Sequence, residues 1–120
     1  MKKIFIILIT LILAGCFPDV VTNDYETYEK AVAGKLFERG WLPNNLPKST
    51  MNIKVKNNLD LNTSTGEFYI DLEELNSFIS QLEHMKNHSN GNSQYKYSSG
   101  VSLWTFTVDP RNGHVRYVLH

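Results

Sequence analysis

Apolar side chains at Tyr25, Tyr28, Val32 and Leu36 recur at the three-to-four-residue spacing that lines one face of a helix. Asn23 or Asp24 can cap its start, Glu26 and Glu29 suit its positive end, and Lys35 and Arg39 suit its negative end. With Gly40 as a stop, the pattern predicts a helix over 24–39. A second helical face is formed by Leu72, Leu75, Phe78, Ile79, Leu82 and Met85. It follows Asp71, an N-cap with Glu74 three residues on, and predicts a helix over 72–86.

Strict alternation marks the strands. Met51, Ile53 and Val55 alternate with Asn52, Lys54 and Lys56, which predicts a strand over 51–57, and a short one follows over 67–70. Two more, over 101–108 and 114–119, are joined by Asp109-Pro110-Arg111-Asn112-Gly113 as a hairpin turn. The polar stretches 57–66 and 87–99 read as loops. The order α-β-β-α-β-β predicts an α+β domain, two helices packed on a small, mostly antiparallel four-stranded sheet. Pro43 and Pro47, four apart, forbid helix between the first helix and the first strand. Their apolar neighbours Trp41, Leu42 and Leu46 should press this rigid segment onto the domain.

The N-terminus changes the picture. Lys2 and Lys3 precede an apolar run from Ile4 to Leu13, and Leu13-Ala14-Gly15 leads into Cys16, the one cysteine of the chain. The run is far shorter than the roughly 20 residues of a membrane span. Basic start, short apolar core and small residues before cysteine form the pattern of a bacterial lipoprotein signal. Residues 1–15 are then a cleaved signal, 16–23 a tether lipidated on Cys16, and 24–120 one small domain. Phe17 is not the aspartate of inner-membrane retention, so an outer membrane is favoured where the host has one. The expected location is the cell membrane, facing the periplasm or the exterior.

After cleavage ten basic and twelve acidic residues remain, a formal charge of about −2, which gives no field for nucleic acid. With Cys16 committed to lipid, disulfides, cysteine-based metal sites and thiol catalysis are excluded.

Candidate chemistry is sparse. His84 and His88, four apart near the end of the second predicted helix, have the spacing of two metal ligands on one face. The same spacing suits two solvated histidines at a helix end. His114, Arg116 and His120 alternate onto one strand face, Asp60 and Asn62 suit an Asx turn or a cation, and Glu67 could pair with Asp60. No nucleophile with a base, and no phosphate loop, accompanies them. The expectation is a non-enzymatic protein with no cofactor. Trp104 and Phe106 suit the core, whereas Trp41, Tyr95 and Tyr97 are candidates for binding a protein partner.

Glu38-Arg39-Gly40-Trp41-Leu42-Pro43, Leu46-Pro47-Lys48-Ser49, Asn52-Ile53, Leu59-Asp60-Leu61-Asn62 and Gly66-Glu67-Phe68 occur in an order that resembles the YbbD-head type of bacterial envelope proteins. The closing aromatic hairpin is more weakly similar. The resemblance implies a small lipoprotein or membrane-anchored domain and supplies no catalytic residues. Members lying near polymorphic toxin loci imply immunity as one form of protein binding. The alternatives are a structural envelope accessory and, more remotely, a metal-dependent hydrolase using His84 and His88.

Overall fold

The computed structural model describes residues 20–120, so the signal and Cys16 lie outside the described residues. The elements are β1 (Val20–Thr27), α1 (Tyr28–Ala33), β2 (Met51–Asn58), β3 (Thr63–Tyr69), α2 (Leu72–Ile79), β4 (Glu83–Asn87), β5 (Ser93–Ser99), β6 (Ser102–Asp109) and β7 (His114–Leu119). All seven strands form one antiparallel sheet in the order β1-β2-β3-β7-β6-β5-β4. The α+β expectation of two helices on four strands is therefore wrong. The domain is mostly β, with two short helices.

Three local outcomes make the difference. Residues 20–27 pair with β2 along their whole length, from Val20 opposite Asn58 to Thr27 opposite Met51. β1 thus begins within the stretch read as tether and takes the start of the expected first helix. Tyr25 and Tyr28 both pack against the core, but from a strand and a helix respectively, so their spacing imitates a single helical face. What remains helical is short: Thr27 caps it, accepting from the Lys30 amide at 3.2 Å, and Lys35 at φ 63° lies beyond its end.

The expected second helix also stops early. Asp71 caps it, but Ser80 closes it, and residues 83–87 pair with β5 instead. Met85 is half exposed on β4 and belongs to no buried helical face. The stretch read as a loop carries β5, whose Gln94 and Lys96 alternate with Tyr95 and Tyr97. The closing hairpin is as expected, with Gly113 at φ +77° in the turn and its amide donating to the Asp109 carbonyl at 3.0 Å.

Period-two alternation divides the sheet into a covered and an open face. Ile53 and Val55 of β2, Phe68 of β3, Trp104, Phe106 and Val108 of β6, and Val115, Tyr117 and Leu119 of β7 are buried on the covered face. Leu75 and Phe78 of α2 close over them, joined by Ala31 of α1 and by Leu36, Leu42 and Leu46 from the segment around the prolines. That segment is held by Thr50, whose hydroxyl donates to the Pro47 carbonyl at 2.6 Å. Ser49 donates to Glu74 of α2 at 2.9 Å, so Glu74 serves the loop rather than a capping box. The centre is aromatic: Phe78 meets Phe106 edge-on at 5.4 Å, and Phe68 lies 6.0 Å from Tyr117 and 6.5 Å from Phe106.

Tyr117 also carries the main buried polar group of the sheet. Its hydroxyl lies 3.3 Å from Ser64 Oγ, which donates to Asn57 Oδ1 at 2.5 Å. Burial pushes its phenol up to about 12, partly offset by the Ser64 hydrogen bond. The ring passes over Gly66, where an added Cβ would lie 2.9 Å from Tyr117 and collide with the Lys54 carbonyl oxygen.

Two outcomes follow from this centre. Gly66→Ala should destabilise the domain by about 1–3 kcal/mol, the range for overpacking, read from the denaturant midpoint. Because the folded pKa of Tyr117 lies above the ordinary phenol value, its contribution is complete below about pH 10 and disappears as pH rises toward 12. A tenfold difference in proton affinity is worth roughly 1.4 kcal/mol, so wild type should lose about 2–3 kcal/mol across that window. Tyr117→Phe should be spared that loss in denaturant titrations run from pH 9 upward.

Candidate functional site

The open face is built by the residues that alternate with the core. Along one line across five strands stand Lys54, Glu67, Arg116, Thr107 and Gln94; along the next stand Lys56, Thr65, Val118, Thr105 and Lys96. Neither α1 nor α2 covers them. The twist of the sheet bends this face into a concavity of about 520 Å³ lined by most of these residues and Thr22. Its floor is threonine-rich, apart from the half-exposed Val118.

Its charges are unevenly matched. Glu67 is engaged twice, by His114 Nε2 at 2.7 Å and by Lys54 Nζ at 4.0 Å. Tyr69 packs beside the His114 ring at 4.9 Å. Lys96 reaches Glu83 at 3.5 Å. Arg116 stands opposite Glu67 in the register yet, like Lys56, has no ion-pair partner among the described residues. His120 lies 3.2 Å from Thr105 through Nε2. At the far end of the β6–β7 hairpin, the Arg111 guanidinium grips Asp109 at 2.9 and 3.0 Å and holds its carboxyl below the usual range.

The residues expected from the sequence are placed differently from one another. His114, Arg116 and His120 do share one face, the open one. Glu67 meets His114 and Lys54, not Asp60. His84 and His88 do not share a helix face, because that helix ends at Ile79. His84 sits on edge strand β4, its ring 5.4 Å from Tyr95 and its Nε2 2.9 Å from Asn87 Oδ1, while His88 lies in the following turn. Among the described residues no group of three or more potential ligands is placed to hold a metal. Trp104 is buried, and Trp41, Tyr95 and Tyr97 are half-buried against the core rather than gathered in an exposed cluster. Cys16 lies outside the described residues. Lys54, Lys56 and Thr107 are not legible as a site from the sequence, although each alternates with a core residue; their adjacency depends on strand order.

Two of the three non-glycine residues with positive φ are among those that carried the resemblance. Asn52 adopts φ 51° where β2 has one residue more than β3, a bulge between Met51 and Lys54. Asn62 adopts φ 52° before β3, and Leu61 donates to Asn58 Oδ1 at 3.2 Å, which makes the Asp60–Asn62 stretch a turn. Residues 19–69 match the family model of the YbbD head domain.

This segment is similar to a YbbD head domain. It comprises β1, α1, β2 and β3, whereas α2 and β4–β7 lie beyond the match. The match reaches further toward the N-terminus than the motifs did, taking in the whole of β1. No curated protein and no solved structure matches the chain.

Proposed function

We propose that this YbbD head protein is a non-enzymatic, lipid-anchored component of the bacterial cell envelope that binds an acidic protein partner on the open face of its sheet. The observation that carries the reading is the concave face itself. An antiparallel sheet can simply leave one face to water, but this one is hollowed and holds Lys56 and Arg116 without ion-pair partners among the described residues. Unpaired cations on a fixed scaffold steer and orient an acidic surface more than they stabilise the fold. The anchor is supported by the basic start, the short apolar run and Leu13-Ala14-Gly15-Cys16. Two acyl chains or more hold a protein stably, whereas one holds it reversibly.

The specific form we favour is immunity to a toxin that meets the envelope. Such a toxin must be bound where it emerges, and a lipid tether keeps the open face there.

Two variants separate anchoring from binding. Cys16→Ser should move the protein from the membrane fraction to the soluble one. The double variant Lys56→Glu with Arg116→Glu should stay in the membrane, keep its denaturant midpoint and lose at least tenfold of its affinity for the partner that cross-links to the native chain. Membrane retention of Cys16→Ser would refute the anchor. Undiminished partner binding by the double variant would refute the site.

A further inference from the structure

The strand register gathers two exposed turns and the entry of the chain at one end of the sheet. Val20 is paired with Asn58, so β1 begins where β2 ends. Asn58 in turn is opposite Thr63, which places the turn containing Leu59 and Leu61 at that end. Ser64 is opposite Leu119, Leu119 is opposite Trp104, and Ser99 is opposite Ser102, which brings the β5–β6 turn with Val101 to the same end.

These turns are unlike ordinary hairpin tips. Leu59 is 53 % exposed, Leu61 70 %, and Val101 is fully exposed. Asp60 is the one charged residue between Asn57 and Thr63, and there is none between Ser98 and Leu103. The other end of the sheet carries Asp109, Arg111 and His114.

The length of chain before β1 says what faces these side chains. Three residues separate Val20 from Cys16, and even fully extended the four Cα-to-Cα steps span at most about 14 Å. A lipid on Cys16 therefore holds this end, and no other, against the bilayer. We propose that the anchored end of the sheet docks on the membrane, with Leu59, Leu61 and Val101 entering its interfacial layer. This inference rests on the lipid anchor proposed above.

The physical balance is favourable because the anchor has already brought the surface into reach. Three isolated aliphatic side chains would not recruit a free protein to lipid. Once tethered, their insertion is an intramolecular step at high effective concentration, and each removes apolar area from water. Docking would also set the orientation of the site. The strands run away from the bilayer for about 26 Å, at about 3.3 Å per residue over eight residues, which leaves the open face beside the membrane rather than beneath it.

The test uses the full, lipidated chain reconstituted into phosphatidylethanolamine–phosphatidylglycerol vesicles that carry nitroxide-labelled acyl chains. Since Cys16 is the only native cysteine, Leu61→Cys, Val101→Cys and Asn112→Cys each give one site for a fluorescent probe once Cys16 is acylated. Quenching at Leu61→Cys and Val101→Cys at least threefold stronger than at Asn112→Cys is the expected result. Equal, weak quenching at all three sites, with the protein still on the vesicles, would overturn docking and leave the anchor standing. Chains that fail to stay on the vesicles, with no lipid mass on Cys16, would overturn the anchor and the docking together.

Discussion

Tyr117 crosses the middle of the sheet over Gly66, with its ring against Phe68 and its hydroxyl beside the buried Ser64–Asn57 pair. That contact ties β7 to both β3 and β2, so it fixes two registers at once. Register is decisive here because side chains alternate between faces, and a slip by one residue would exchange the core for the surface. With Tyr117 in place, Phe106 and Phe68 face Phe78 of α2, and Arg116 and Val118 face outward. The same interaction therefore sets both the sealed side and the hollowed side.

One-sided coverage has consequences for what the molecule can do. The helix α2 and the segment around Pro43 and Pro47 close over one face, and among the described residues no helix is long and apolar enough to cross a membrane. The open face is left as a strand-supported surface on which lysine, arginine, glutamate and threonine side chains stand among apolar area. Glu67 is already held by His114 and Lys54, whereas Lys56 and Arg116 have no ion-pair partner among the described residues. The segment similar to a YbbD head domain supplies the first three strands of this face, and the strands beyond the family match widen it to include Arg116, Thr105, Thr107 and Gln94.

Legibility in the sequence followed the physics of each element. The β6–β7 hairpin could be read because Gly113 and the Asp109–Arg111 turn act locally, and β2 because its alternation is strict. β1 could not: Tyr25 and Tyr28 contact one core from two elements, and spacing alone cannot distinguish that from one helix face. β5 was hidden because Gln94, Lys96 and two half-buried tyrosines look like loop composition until a neighbouring strand gives them sides. The cations at Lys54, Lys56 and Arg116 were each visible, but their assembly required the order β2-β3-β7, which no local pattern encodes. Asn52 and Asn62 show the reverse case, since these two motif residues have left-handed backbone at the bulge and the turn.

Partners should meet the open face and not the covered one. The most direct measurement is site-specific photo-cross-linking of the full-length chain in its own membranes, with p-benzoylphenylalanine at Thr65 on the open face or at Tyr97 on the covered one. A single protein adduct from Thr65 and none from Tyr97 is the predicted result. An adduct from Tyr97 with none from Thr65 would contradict it and return the binding site to the half-buried aromatics.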